Sequence, residues 1–143
     1  MMDCILLVED NPMEGLVIED VFDNAQIPAT LFTAENVDDA MDLAVRRNPL
    51  MVLVDLDLAD QGGWDMLCRM KKNAETKDIP VWSMSSRDVE DAPVSTAGIC
   101  FDEYLYKPID RRELVRQISR MIDVIQHSAG PPNGRRQMAN ASS

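Results

Sequence analysis

Four short apolar runs in this chain end on groups suited to metal or phosphorus chemistry. Glu9 and Asp10 follow Cys4–Val8 directly, and Asp55 closes Leu50–Val54 with Asp57 two residues on. Ser85 follows Val81–Met84, and Lys107 follows Tyr104–Tyr106 just ahead of Pro108. Taken singly, each is commonplace: an acid after a strand is most often a solvated loop residue, Ser85 a turn residue, Lys107 a surface lysine. Brought to one rim they would conflict, because two carboxylates about 4 Å apart repel by roughly 4 kcal/mol at an effective dielectric near 20. An acidic trio therefore calls for a cation. Magnesium suits it, taking one or two carboxylates and leaving positions open for phosphate oxygens. An aspartate beside such an ion can attack phosphorus and form an acyl phosphate. The ion and a neighbouring ammonium would neutralise the transferring group, and a hydroxyl could donate to one of its oxygens.

The elements that would bring these groups together alternate. Apolar runs at Cys4–Val8, Ala29–Thr33, Leu50–Val54, Val81–Met84 and Tyr104–Tyr106 read as strands. Between most of them lie stretches of helical spacing. In the first helix, Met13, Leu16, Val17 and Val21 share a face. Asn36 can cap a second carrying Val37, Ala40, Leu43 and Ala44. A third follows Gly62-Gly63 and includes Leu67 and Met70. The last shows the clearest stripe, Leu114, Ile118, Met121, Ile122 and Ile125, with Asp110 as its cap. The slot between the fourth and fifth strands is poor, since Pro93 interrupts Arg87–Ala97 and Gly98 would stop a helix there, so that helix is expected to be short or irregular. Five strands alternating with helices imply an α/β fold, a doubly wound parallel sheet with helices on both faces. In such sheets ligands bind beyond the carboxyl ends of the strands.

Bulk properties narrow the function. The chain has 143 residues, 45% of them hydrophobic, enough for one domain with a core. A net charge of −11 argues against direct binding to nucleic acid or an anionic membrane. No apolar run is long enough for a membrane span or a signal-peptide core, so a cytoplasmic location is expected. The 3 cysteines (Cys4, Cys68, Cys100) are widely spaced, and the one histidine is His127, so neither a disulfide framework nor a zinc site is expected. Residues 127–143, rich in Gly, Pro, Asn and Ser, read as a flexible tail behind a domain spanning 1–126.

With these residues in view, the sequence resembles the receiver domain of bacterial two-component response regulators, in the single-domain form of the chemotaxis regulators. ILLVEDNP (Ile5–Pro12) is similar to that family's opening strand and acidic pair, and VLVDLDLADQGGWDML (Val52–Leu67) to its phosphoacceptor strand and loop. IPVWSMSS (Ile79–Ser86) is similar to the strand ending in Ser or Thr, and DEYLYKPID (Asp102–Asp110) to the lysine-proline segment. The four motifs occur in family order, and the similarity covers Asp3 to about Ile125. The resemblance implies a flavodoxin-like sheet in strand order 2-1-3-4-5. It implies that Asp55 is phosphorylated, and that Glu9, Asp10, Asp55 and the backbone carbonyl of Asp57 hold Mg2+. Ser85 would bond the phosphoryl group, Lys107 would pair with one of its oxygens, and Tyr104 would be the aromatic switch. Asp57 and Arg87 flank the site and are expected to form an ion pair that tunes hydrolysis.

The implied role is a phosphorelay switch that catalyses only its own phosphorylation and dephosphorylation. Its implied partners are a sensor histidine kinase or histidine phosphotransferase and a downstream protein target, with a homodimer as an option. There are departures from the family pattern: Gly62 stands where Asp is usual, Ala59 where Pro is common, and Cys100 where a helix-ending Gly is usual. Two other functions compete. Asp55-x-Asp57 also resembles the opening of haloacid-dehalogenase-like phosphatases, but Ala59 replaces their usual Thr or Val and the motif lies on the third strand. A phosphorylation-independent binding module would not need the full acid, hydroxyl and lysine set. A flavin site is disfavoured because no Ser/Thr/Gly-rich loop follows the first strand.

Overall fold

The computed structural model describes residues 3–58, 62–86 and 100–128. The strands are β1 (Cys4–Val8), β2 (Thr30–Ala34), β3 (Met51–Asp55), β4 (Val81–Ser85) and β5 (Glu103–Tyr106). All pair in parallel, in the order β2-β1-β3-β4-β5, which is the expected doubly wound arrangement. The strand runs read from sequence agree to within a residue. β1, β3 and β4 are buried along their whole length, as strands covered on both faces must be.

Three helices belong with this sheet: α1 (Pro12–Ala25), α2 (Val37–Arg47) and α3 (Gly62–Lys72). α1 starts because the Asn11 side chain accepts from the Met13 and Glu14 amides, with Pro12 in the first turn where its missing N–H costs nothing. It ends at Gln26, whose φ of 55° is left-handed. Asn36 caps α2 through the Asp39 amide at 2.8 Å, as its position suggested. One core joins α2 and α3 to a sheet face: Val37, Ala40, Met41 and Ala44 with Met66, Leu67 and Met70, over Leu6, Val8, Val52, Val54 and Val81. By the two-residue alternation of a strand, Ile5, Leu7 and Leu53 point to the opposite face, and they too are fully buried.

The expected inward face of α1 requires correction. Its buried residues are Gly15, Ile18, Val21 and Phe22, whereas Met13, Leu16 and Val17 are exposed. α1 carries two apolar stripes, and apolar spacing alone does not say which one meets the sheet.

The junction of β3 and α3 is tight. A Cβ at Gly63 would stand 2.5 Å from Leu56 Cδ2 and 3.2 Å from Val54 Cγ1. A residue without a side chain is what lets α3 begin so close to Asp55. The segment 87–99, which holds Pro93 and the expected irregular helix, lies outside the described residues, as does Ala59.

The chain from Arg111 on forms a second compact unit. It contains α4 (Arg111–Ser128), which buries Leu114, Ile118 and Ile122, while Met121 and Ile125 are half-buried. The helix runs through Ser128, so its last turn enters the segment read as tail; residues 129–143 lie outside the described ones. Among the described residues, no helix is long and apolar enough to cross a membrane.

Leu67 is fully buried in the core that seats α3 on the sheet. Leu67→Ala should destabilise the fold by about 2–5 kcal/mol in urea unfolding, the range for deleting a buried leucine. A loss below about 1 kcal/mol would show that this core is not packed as described.

Candidate functional site

β1, β3, β4 and β5 run parallel, so their carboxyl ends lie along one edge of the sheet. Registry aligns Val8 with Val54, Asp55 with Met84, and Ser85 with Tyr106. Glu9, Asp55, Ser85 and Lys107 therefore emerge side by side. Asp55 is 1% exposed and Glu9 3%. One carboxylate oxygen from each of Glu9, Asp55 and Glu14 lies within 4.8 Å of the others. Asp10 is exposed and lies outside that trio.

The positive charge among these acids is Lys107. Its Nζ lies 3.0 Å from Asp55 Oδ1 and 3.1 Å from Asp57 Oδ2, and it also bonds Glu14 Oε1. An ammonium has three N–H donors, and here three carboxylates take them. Burial opposes the charge on Lys107, but the bonds to Glu14, Asp55 and Asp57 outweigh it and hold the pKa above that of an ordinary lysine. Lys107 is positioned through its own backbone, whose N–H donates to Ser85 O at 2.8 Å.

The loop after β3 is folded around its own acids. The Asp57 amide donates to Asp55 Oδ1 at 2.8 Å, and the Ser86 amide donates to Asp57 Oδ2 at 3.0 Å. Burial alone would raise the Asp57 pKa, but the bonds from Lys107 and Ser86 bring it below the ordinary carboxylate range. The expected partner of Asp57 was Arg87, which lies outside the described residues; the partners seen are Lys107 and Ser86. Ser85 is 7% exposed at the end of β4. Tyr104 is half-buried, stacks edge-on against Phe101 at 5.7 Å, and accepts a hydrogen bond from the Phe101 amide.

Glu9 is the strained member. Its Oε1 is buried without a hydrogen-bond partner, while Oε2 accepts from the Asn11 amide at 3.2 Å. Burial, and then the neighbouring Asp55 carboxyl, push its pKa up to about 8. A divalent cation fits this donor set: two buried oxygen donors, an orphaned lone pair and excess negative charge are what such an ion relieves. Glu9 and Asp55 could hold it, with Glu14 at the margin.

Sequence reasoning passed over Glu14 and Ser86. Glu14 falls off the apolar face read for α1 and was given no role. The signal that could have singled it out is the spacing Asn11-x-x-Glu14: a cap followed three residues later by an acid fixes that acid in the first turn, beside the strand end. The Asn11 side chain donates through Nδ2 to Glu14 Oε2, at 3.4 Å.

Residues 5–119 match the family model for the response regulator receiver domain. The chain is 29% identical to protein PilH of Pseudomonas aeruginosa over 82% of its own length and 96% of that protein. It is 30% identical to the two-component response regulator ORR3 of Oryza sativa, over 82% of this chain and 89% of that one. The phosphate regulon transcriptional regulatory protein PhoB of Pseudomonas aeruginosa is 30% identical across 62% of this chain, which spans only 39% of PhoB. Among solved structures, the receiver domain of a Pseudomonas aeruginosa sensor histidine kinase superposes with a TM-score of 0.74 at 24% identity, covering 86% of this chain and 99% of that one. That protein holds a magnesium ion coordinated in its active-site cleft. The signal receiver domain of a DNA-binding response regulator from Colwellia psychrerythraea gives a TM-score of 0.75 at 23% identity, covering 85% and 98%. These two likenesses speak for the fold.

The Glu9 shift has a sign. In the unfolded chain its pKa is near the ordinary 4.5, and in the folded, metal-free protein it is about 8. An acid raised on folding costs nothing below the unfolded value. Its penalty grows as pH rises through the interval between the two, because the unfolded chain binds fewer protons there. In EDTA, the thermal midpoint of the wild type should fall from pH 5 to pH 8 more steeply than that of Glu9→Gln. Parallel pH profiles for the two would show that Glu9 is not buried against Asp55.

Proposed function

The chain belongs to the response regulator receiver domain family, and from that premise we propose that Asp55 is the aspartate on which it accepts phosphate. A receiver domain works in two-component phosphorelay signalling, as a module that is switched by phosphorylation. The observation that carries the residue-level reading is the pair of buried Asp55 Oδ1 and half-buried Lys107 Nζ at 3.0 Å, beside the buried Glu9.

The chemistry follows from the chain's own groups. An oxygen of Asp55 attacks phosphorus. The O–P bond forms as the bond from phosphorus to the donor's leaving group breaks, and the leaving group departs with the electron pair. Phosphoryl transfer needs positioning and charge neutralisation more than covalent help. Lys107 supplies an ammonium already aligned with Asp55 and can pair with an oxygen of the transferred group. The Asp57 amide, bonded to Asp55 Oδ1, fixes the orientation of the carboxylate before reaction. Glu9, Asp10, Asp55 and the backbone carbonyl of Asp57 would hold Mg2+, which supplies positive charge against the developing negative charge on the transferred group. Support for the ion comes from the orphaned Glu9 Oε1 and the clustered carboxylates of Glu9, Asp55 and Glu14, while Asp10 and the Asp57 carbonyl enter from the family resemblance.

Once Asp55 is phosphorylated, Ser85 donates its hydroxyl hydrogen to a phosphoryl oxygen. Tyr104, now edge-on to Phe101, moves behind it. Phosphorylation thereby biases a two-state surface read by a protein partner. The phosphoryl donor is a sensor histidine kinase or a histidine phosphotransferase, which this reading puts in the cytoplasm with the protein.

The test is intact mass after incubation with magnesium and a small phosphodonor such as phosphoramidate. The wild type should gain one phosphoryl group. Asp55→Asn, or omission of the metal by EDTA, should abolish the gain, and Lys107→Ala should slow it by about tenfold or more. Retention of the gain in Asp55→Asn would reject Asp55 as the acceptor.

A further inference from the structure

Lys107 lies among three carboxylates, only one of which comes from a helix: Glu14, in the first turn of α1. We propose that Glu14 is a positioning residue that tethers the Lys107 ammonium in the unphosphorylated protein, so that phosphoryl acceptance must first release this tether. The inference rests on Asp55 being the acceptor, and it adds a restraint that reading does not contain.

With Glu14, Asp55 and Asp57 engaged, all three N–H donors of Lys107 are used. A phosphoryl oxygen that pairs with Lys107 must displace one of them. Asp57 is held from its other side by the Ser86 amide, and its loop is further tied through its own amide to Asp55. Asp55 is the reacting group and is 1% exposed. Glu14 differs from both. Its side chain is 40% exposed and stands on a helix that need not move for the carboxylate to swing out into water. It is therefore the anchor that yields.

Electrostatics gives the direction. Glu14 adds a negative charge within 4.8 Å of the Asp55 carboxylate. The group arriving on Asp55 is itself anionic, so Glu14 opposes it both by holding Lys107 and by direct repulsion. Removing the charge leaves Lys107 still fixed by Asp55 and Asp57, with one donor free. The tether thus slows spontaneous phosphorylation while keeping the ammonium at the rim.

The experiment compares wild type, Glu14→Gln and Glu19→Gln in saturating magnesium. Glu19, an exposed acid further along α1, controls for net charge. Two quantities are read: the rate of mass gain from limiting phosphoramidate, and the affinity for beryllofluoride, an analogue of the phosphoryl group, by 19F NMR. Glu14→Gln should raise both by roughly two- to fivefold, the scale of one partly exposed ion pair, while Glu19→Gln leaves both unchanged. Equal or lower values in Glu14→Gln would overturn the tether, and so would an equal gain in Glu19→Gln. If the wild type takes up neither phosphoryl nor beryllofluoride, the acceptor reading itself fails, which is a separate result.

Discussion

The carboxylate of Asp55 is buried beside another buried carboxylate, Glu9, and held by the ammonium of Lys107. Burying one charge without compensation is costly, and burying two like charges together is more so. Much of the local structure can be understood as a response to that cost. Lys107 is placed by backbone pairing with Ser85, and the β3–α3 turn folds back so that the Asp57 amide meets Asp55. Gly63 lets α3 begin without a side chain forcing Leu56 and Val54 aside. The remaining imbalance, expressed in the raised pKa of Glu9 and its orphaned oxygen, makes the site receptive to a divalent cation.

A parallel sheet is well suited to this arrangement. Its inner strands β1, β3 and β4 are buried on both faces, so groups at their ends are held to tight tolerances. Neighbouring strands lie roughly 5 Å apart, close to the spacing at which carboxylates can share one ion. Side chains on loops and first helical turns are freer. The chain uses both: Asp55 and Glu9 on fixed strand ends, and Glu14 in a first helical turn with a side chain that can adjust.

Much of this was legible in the sequence, for physical reasons. Apolar runs of strand length, each closed by a chemically distinctive residue, report both a strand and what stands at its end. Asn36 was recognisable as a cap because its side chain competes for helical amides. The inward face of α1 was not legible, since Met13, Leu16 and Val17 have the same spacing as residues that do meet the sheet, yet they are exposed. The involvement of Glu14 depends on the rotation of α1 about its axis, which is fixed by how Ile18, Val21 and Phe22 pack. Two partners of Asp57 were not legible for a related reason: the turn brings Lys107 and the Ser86 amide to it, from other strand ends.

The central claim is that Glu9 and Asp55 frame a cation beside Lys107 where phosphate is accepted. Its most direct test is an anomalous difference map from crystals soaked in Mn2+, a stand-in for magnesium that can be located without bias. The account predicts a peak coordinated by carboxylate oxygens of Glu9 or Asp10 together with Asp55, with Lys107 still bonded to the Asp55 side. A peak at a different acidic surface, or none at the ends of β1 and β3, would contradict it.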